Sequence, residues 1–349
     1  MEPQISIIIP VYNTGKYLKK CLQSVIEQKI DEIEIIIVND ASTDDSIKII
    51  KKFAAHDKRF TIIDKKKNEG VEAARLTGIN SAIGTFLCFM DSDDWLPRNA
   101  LRILLQHANK TEADIVVGHH TRVLDRFGLV KTVGKKFCMQ PLILDYDSFM
   151  RNYYVNFFGV NIFPVSMCGK LYRRILINRS TINTHGYNFG EDLMFNIQVF
   201  PESKKTVLVP DLVYNYRYGG MTSKFNSQLI PSQLRMYKQK QEFAVRYHND
   251  ALNKFSRIEL KNYLKTFIEM LLKFKGDEPS VVHKRQIAEV IATEEFVDLK
   301  NYYASQELQG FELALAKGDI DGMYMEIIAE YKKIKLLYKL KRLLSSIFN

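Results

Sequence analysis

Apolar and polar positions alternate in blocks along the first third of the chain. Ile5-Ser-Ile-Ile-Ile9 is short, apolar and rich in β-branched residues, the mark of a buried strand. Pro10-Val-Tyr-Asn-Thr14 punctuates it. From Tyr17 to Gln28, apolar residues recur at Tyr17, Leu18, Cys21, Leu22, Val25 and Ile26, which is helical spacing. Ile33 to Val38 predicts a second strand, and the polar turn Asn39 to Asp44 can cap a helix over Asp45 to His56. Phe60 to Ile63 reads as a third strand, Glu72 to Gly84 as a helix, and Thr85 to Met90 as a fourth strand. Leu101 to His107 is helical, and Ala113 to Gly118 is a fifth strand. This rhythm predicts an α/β fold: a mostly parallel sheet covered by helices on both faces. Such sheets bind ligands beyond the carboxyl ends of their strands, where the polar clusters after strands one, two and four lie.

From about 120 to 225 the pattern is irregular and rich in aromatics, among them Tyr153, Tyr154, Phe157, Phe158, Phe163, Tyr172, Tyr187 and Phe189. We expect most of those between 153 and 163 to be core, with a sugar-stacking platform as the alternative. From about 230 only Pro231 and Pro279 interrupt helical periodicity, which predicts a separate helical domain. A length of 349 residues also suggests about two domains.

Composition narrows the class. A hydrophobic fraction of 46% excludes disorder over most of the chain. No apolar run reaches the roughly 18 residues of a membrane span, and no leader is expected, since Met1-Glu-Pro-Gln runs straight into a strand. Cys21, Cys88, Cys138 and Cys168 lack CxxC spacing, which argues against a zinc knuckle or disulfide framework and for a reducing cytoplasm. Six of the net +10 charges fall in the acid-free stretch Tyr331 to Asn349. A nucleic-acid binder would spread its charge over the folded surface, so nucleic acid is not an expected partner.

The strongest chemical signal is Phe89-Met-Asp91-Ser-Asp93-Asp94-Trp95, an apolar strand that runs into three acids. Clustered carboxylates repel unless something neutralises them, and hard oxygen ligands suit Mg²⁺ or Mn²⁺. The alternative is an acidic turn that caps the helix after Pro97. Asp40, at another strand end, is an acceptor only and can take a nucleobase N–H, or it can cap a helix together with Asp44. No GxGxxG supports a dehydrogenase. Pro10-Val-Tyr-Asn-Thr-Gly15 is not the glycine-rich loop a nucleotidyltransferase needs.

Six stretches in order resemble the inverting family-two glycosyltransferases of GT-A fold, particularly bacterial enzymes that build surface polysaccharides. They are Ser6 to Asn13, Ile37 to Asp44, Asn68 to Gly78, Gly84 to Asp94, Gly190 to Phe195 and Tyr214 to Ser223. The resemblance implies a GT-A catalytic domain over 1–225, with the helical domain over 226–349. It implies that Pro10, Tyr12 and Asn13 line the nucleotide pocket and that Asp40 reads the base, usually uracil. It places Asn68, Gly70 and Arg75 in the segment that closes over the nucleotide, and counts Ser92 and Asp91 among the nucleotide-binding residues. Asp91 and Asp93 match the DxD acids, with Asp94 adjacent: Asp93 is expected on Mn²⁺ or Mg²⁺, and Asp91 nearer the ribose or metal. Asp192 matches the general base, with Glu191 beside it, and Arg217 lies where a basic residue often meets the diphosphate. The implied reaction is metal-dependent inverting transfer from a nucleotide sugar, UDP-linked by resemblance, to a glycan or lipid-linked glycan hydroxyl. A catalytically silent nucleotide- or glycan-binding subunit is the non-enzyme alternative.

The chain departs from the family pattern at Met167-Cys168-Gly169-Lys170-Leu171-Tyr172, where relatives often carry Trp-Asn before Lys-Leu-Tyr, and at Leu76-Thr77. His119-His120 has no nearby acid and reads as structural, and His185 as a loop residue or an acceptor contact. From Tyr331 to Phe348, apolar residues recur at helical spacing with lysines between them. Such a basic amphipathic helix fits an anionic membrane surface and predicts peripheral attachment at the inner face of the cell membrane. The alternatives are docking on the helical domain or a homo-oligomer seam.

Overall fold

The computed structural model describes residues 2–124, 130–133, 136–177, 182, 189–218 and 227–332. The expected membrane helix lies outside these apart from Tyr331 and Lys332, and so do His185 and Met221 to Ser223.

The βα rhythm is present. In chain order come β1 (Ile5–Val11), α1 (Gly15–Ile26), β2 (Ile33–Asn39), α2 (Ser46–Ala54), β3 (Phe60–Asp64), α3 (Val71–Ser81), β4 (Phe86–Phe89) and α4 (Ala100–Thr111). There follow β5 (Ile115–Leu124), β6 (Val130–Val133), β7 (Leu142–Asp145), α5 (Tyr146–Asn152), β8 (Lys170–Arg173), α6 (Glu191–Val199) and β9 (Lys205–Arg217). Among the described residues the strands form one sheet in the order β3-β2-β1-β4-β8-β5-β9-β7, with β6 on β5. β1 pairs in parallel with β2 and β4, β2 with β3, and β5 with β9. β8 runs antiparallel between β4 and β5, so the sheet is mostly parallel but mixed.

Burial explains the apolar runs. β1 is covered on both faces, so it needs no polar alternation. Ile5, Ile7 and Ile9 pack in one core with Ile33, Ile35 and Ile37, under Leu18 and Leu22 of α1, Ile50 of α2 and Leu101 of α4. Ile8 points the other way, where α3 lies so close that a Cβ on Gly78 would come within 2.4 Å of it. Helices therefore do cover both faces.

The fifth strand is longer than expected and runs on through His119 and His120, past a register shift against β9. β9 supplies a long partner in a region whose pattern looked irregular. The aromatics there are core: Tyr154, Phe157 and Phe163 are buried. Phe200 stacks on Phe149 at 5.0 Å and meets Phe157 at 4.9 Å.

The chain divides into two compact units. The first comprises 1–157, 161–187 and 191–218, and carries the sheet. The second comprises 158–160, 188–190 and 219–349. It is built from α7 (Leu229–Arg246), α8 (Asp250–Phe274), α9 (Ser280–Ile291), α10 (Glu294–Ala304), α11 (Gly310–Lys317) and helical residues 320–332. Leu264, Ile268, Ile287, Phe296, Phe311 and Ile327 form its core. Among the described residues no helix is long and apolar enough to cross a membrane.

Candidate active site

β4 delivers the chain to the acidic turn. Phe89 is fully buried against Tyr172 and Phe195, and the Met90 N–H donates to the Ile8 carbonyl. The turn then closes with Asp94 N–H on the Asp91 carbonyl at 3.1 Å. β9 anchors it from the side. Trp95 and Asn215 exchange both backbone hydrogen bonds, and the Tyr214 hydroxyl donates to Asp94 Oδ2 at 2.8 Å while accepting from the Asp91 N–H at 3.0 Å. The Arg217 N–H donates to Asp94 Oδ1 at 2.7 Å. Ser92 is buried and accepts from the Thr14 hydroxyl at 2.9 Å.

Arg217 lies under the turn. Its Nε donates to the Asp93 carbonyl at 2.6 Å, and its guanidinium sits 4.1 Å from the Tyr17 ring centroid and 5.3 Å from that of Trp95. Lys20 covers Trp95 at 3.4 Å. In this arrangement Arg217 holds the backbone of the turn and supplies positive charge beneath it.

A second cation joins the turn to α6. Arg75 is only 5% exposed, and its guanidinium reaches Asp91 Oδ1 at 2.9 Å, Glu191 Oε1 at 3.0 Å and Asp192 Oδ1 at 2.6 Å. Burial alone would lower its pKa, but Asp192, then Asp91 and Glu191, hold it firmly protonated. The resemblance placed Arg75 in a segment closing over the nucleotide; here it is the buried hub between the acidic turn and the start of α6. Three carboxylates face one guanidinium, so the cluster retains negative charge. Burial, then the neighbouring Asp192, pushes Glu191 up to about 7. Burial, then Asp91, pushes Asp93 up to about 6.

These contacts decide which acids fit a divalent ion. Both Asp94 oxygens are taken by Tyr214 and Arg217, and the residue is 1% exposed. It anchors the turn rather than facing a ligand, contrary to its expected place beside the metal. The side chain of Asp93 is half-buried, and burial and Asp91 raise the cost of its charge, a cost that a cation would offset. Among the described residues no group of three His, Cys, Asp or Glu side chains is arranged to hold an ion. The site fits the mode in which Mg²⁺ or Mn²⁺ takes one or two carboxylates and completes its shell with substrate phosphate and water.

The third cluster lies at the ends of β1 and β2. Asn13, at φ 53°, accepts from the Thr43 N–H at 2.8 Å and the Asp44 N–H at 3.3 Å, and its own N–H donates to Ser42 Oγ at 3.0 Å. Asp40 is buried and accepts from the Glu69 N–H at 3.0 Å and the Gly70 N–H at 2.8 Å, with Lys65 Nζ 3.3 Å away. It thus ties the segment before α3 to the sheet, a contact invisible in the linear sequence. Gly70 takes φ 91°, which a side chain would oppose. Tyr12 is 48% exposed beside this cluster and Asn68 is exposed, whereas Pro10 is buried within β1 opposite Val38.

Sequence reasoning missed Tyr214, Lys170 and Asn196. Lys170 is fully buried, and burial pushes its pKa down to about 7. Its only local signal is a lysine before a strand-like Leu-Tyr.

The fold is that of the GT-A glycosyltransferases. A glycosyl transferase family 2 model matches residues 6–179, and the chain belongs to that family. It is 33% identical over 219 residues to the glycosyltransferase GlyA of Streptococcus pneumoniae, covering 62% of this chain and 31% of GlyA. It is 29% identical over 272 residues to EpsH of Bacillus subtilis, covering 75% and 74% of the two chains. The crystal structure of residues 1–349 of Staphylococcus aureus TarS with UDP-GlcNAc superposes with a TM-score of 0.65 over 95% of this chain and 92% of that one. At 18% identity that likeness is one of fold.

Proposed function

We propose that this chain transfers a sugar from a uridine diphosphate sugar to a hydroxyl of a glycan or lipid-linked glycan, with inversion, in the assembly of a bacterial surface polysaccharide. The observation that carries the reading is the Arg75 hub, which holds the acidic turn and the Glu191–Asp192 pair one guanidinium apart. An inverting transfer needs two things close together: a site for a departing diphosphate and a base for the attacking hydroxyl.

Each residue has a role in that scheme. Asp93, with Asp91 behind it, would hold Mn²⁺ or Mg²⁺, which when bound neutralises charge on the leaving diphosphate. Arg217 fixes the turn and adds preorganised positive charge below it. Asp192 takes the proton of the attacking hydroxyl, a contribution of typically ~10²–10⁴-fold. One base suffices for one displacement. Asp40 and the Gly70 segment it anchors form the nucleoside end, beside exposed Tyr12. The uridine preference is supported by the motif resemblance and by the UDP complexes of the TarS fold neighbour.

The test is UDP release from UDP-glucose, UDP-galactose and UDP-N-acetylglucosamine with Mn²⁺, with water as acceptor. Release from one donor, abolished by EDTA and by Asp93→Asn, is the expected result. UDP binding without turnover of any donor would favour the silent binding subunit instead.

A further inference from the structure

We propose that Lys170 is a positioning residue for Asp192, acting through the backbone of residues 164–167; this rests on the reading of Asp192 as the base. Lys170 starts β8 and is 0% exposed. Its ammonium donates to the Pro164 carbonyl at 2.7 Å and, by a short bond, to the Ser166 carbonyl. The carbonyl between them, Val165, accepts from Asn196 Nδ2 at 2.6 Å. Asn196 is itself fixed, since its Oδ1 accepts from the Tyr172 hydroxyl at 2.6 Å. Three successive carbonyls are thus drawn onto buried donors.

The consequence appears at the next residue. The Met167 N–H donates to Asp192 Oδ2 at 3.3 Å, while Arg75 holds Oδ1. Asn196 Nδ2 also donates to the Asp192 carbonyl at 2.9 Å, so one amide binds both the segment and the backbone of the base. A bond of 3.3 Å is near the outer limit, and a small drift of the segment breaks it. Asp192 then pivots about Arg75 alone, and misplacements of this size cost catalysis far more than binding. The main chain of the acidic turn is held chiefly by Tyr214 and Arg217, and Asp40 by the Glu69 and Gly70 N–H groups, so UDP binding should feel Lys170 far less than Asp192 does.

The experiment is a double-mutant cycle on the full chain. UDP affinity is read by calorimetry, and kcat by UDP release from whichever uridine donor the wild type turns over. Lys170→Met should lower kcat about tenfold to a hundredfold while the Kd for UDP stays within about twofold. In an Asp192→Asn background the same substitution should cost nothing further, because its effect passes through that carboxylate. Multiplying losses, or an unchanged kcat in Lys170→Met while Asp192→Asn is inactive, overturns the positioning role alone. Full turnover by Asp192→Asn overturns the assignment of the base, and the positioning role with it. Should Lys170→Met fail to fold, Asn196→Ala releases the same segment from its other side and enters the same cycle.

Discussion

Arg75 Nη1 lies 2.6 Å from Asp192 Oδ1, and the same guanidinium touches the first acid of the turn after β4. A residue of α3 therefore sets the distance between the acidic turn and the Glu191–Asp192 pair, the proposed diphosphate end and base. Replacing Arg75 with methionine strands three carboxylates around an apolar side chain. The expected loss is about 3–5 kcal/mol of stability, as for breaking a buried ion pair from one side. Lysine should not rescue turnover, because one ammonium cannot reproduce the planar fork that reaches three acids. Chemical denaturation and UDP-release rates check the two parts.

Asp93 and Asp94 are neighbours with different work. Asp93→Asn should abolish metal-stimulated turnover while leaving the melting temperature nearly unchanged. Asp94→Asn should lower stability first, since both its oxygens are committed inside the protein. Tyr214→Phe should resemble the Asp94 variant and cost about 1–3 kcal/mol, the usual penalty for an abandoned buried partner. Paired melting and activity measurements separate these outcomes.

His120 predicts a pH effect on stability. Burial, then the Lys170 charge, pushes its imidazole down to about 4. The unfolded chain, with an ordinary value near 6.5, takes up the proton first as pH falls. The stability from this group is therefore complete above about pH 6.5 and is lost between there and pH 4. Glu191 and Asp93, raised in the fold, pull the other way over the same window, so the check is a difference: the melting temperature of His120→Gln relative to the wild type should rise as pH falls from 6.5 to 4.

The basic stretch from Tyr331 to Phe348 predicts binding to anionic vesicles. In a flotation assay with phosphatidylglycerol vesicles, the full chain should float and a chain ending at Glu330 should not. Equal flotation would remove the stretch as a membrane contact.

The sequence by itself determined the alternation of strand and helix and the positions of the acidic clusters at strand ends. Those are local properties: period, β-branching and turn residues act within a few neighbours. It also favoured the core for most of the aromatics of 153–163, and Tyr154, Phe157, Phe158 and Phe163 are buried there. The tertiary structure decided what pairs across long separations. Nothing near Arg75 announces that Glu191 and Asp192 come to it from 116 and 117 residues away. Nothing in Asp91-Ser-Asp93-Asp94 tells which acid faces a ligand and which is spent on Tyr214 and Arg217. β9 and the extension of β5 escaped the pattern for the same reason, since each is held by the other strand rather than by its own alternation. A carboxylate's role depends on which donors fill its oxygens, and in this site those donors come from other strands and helices.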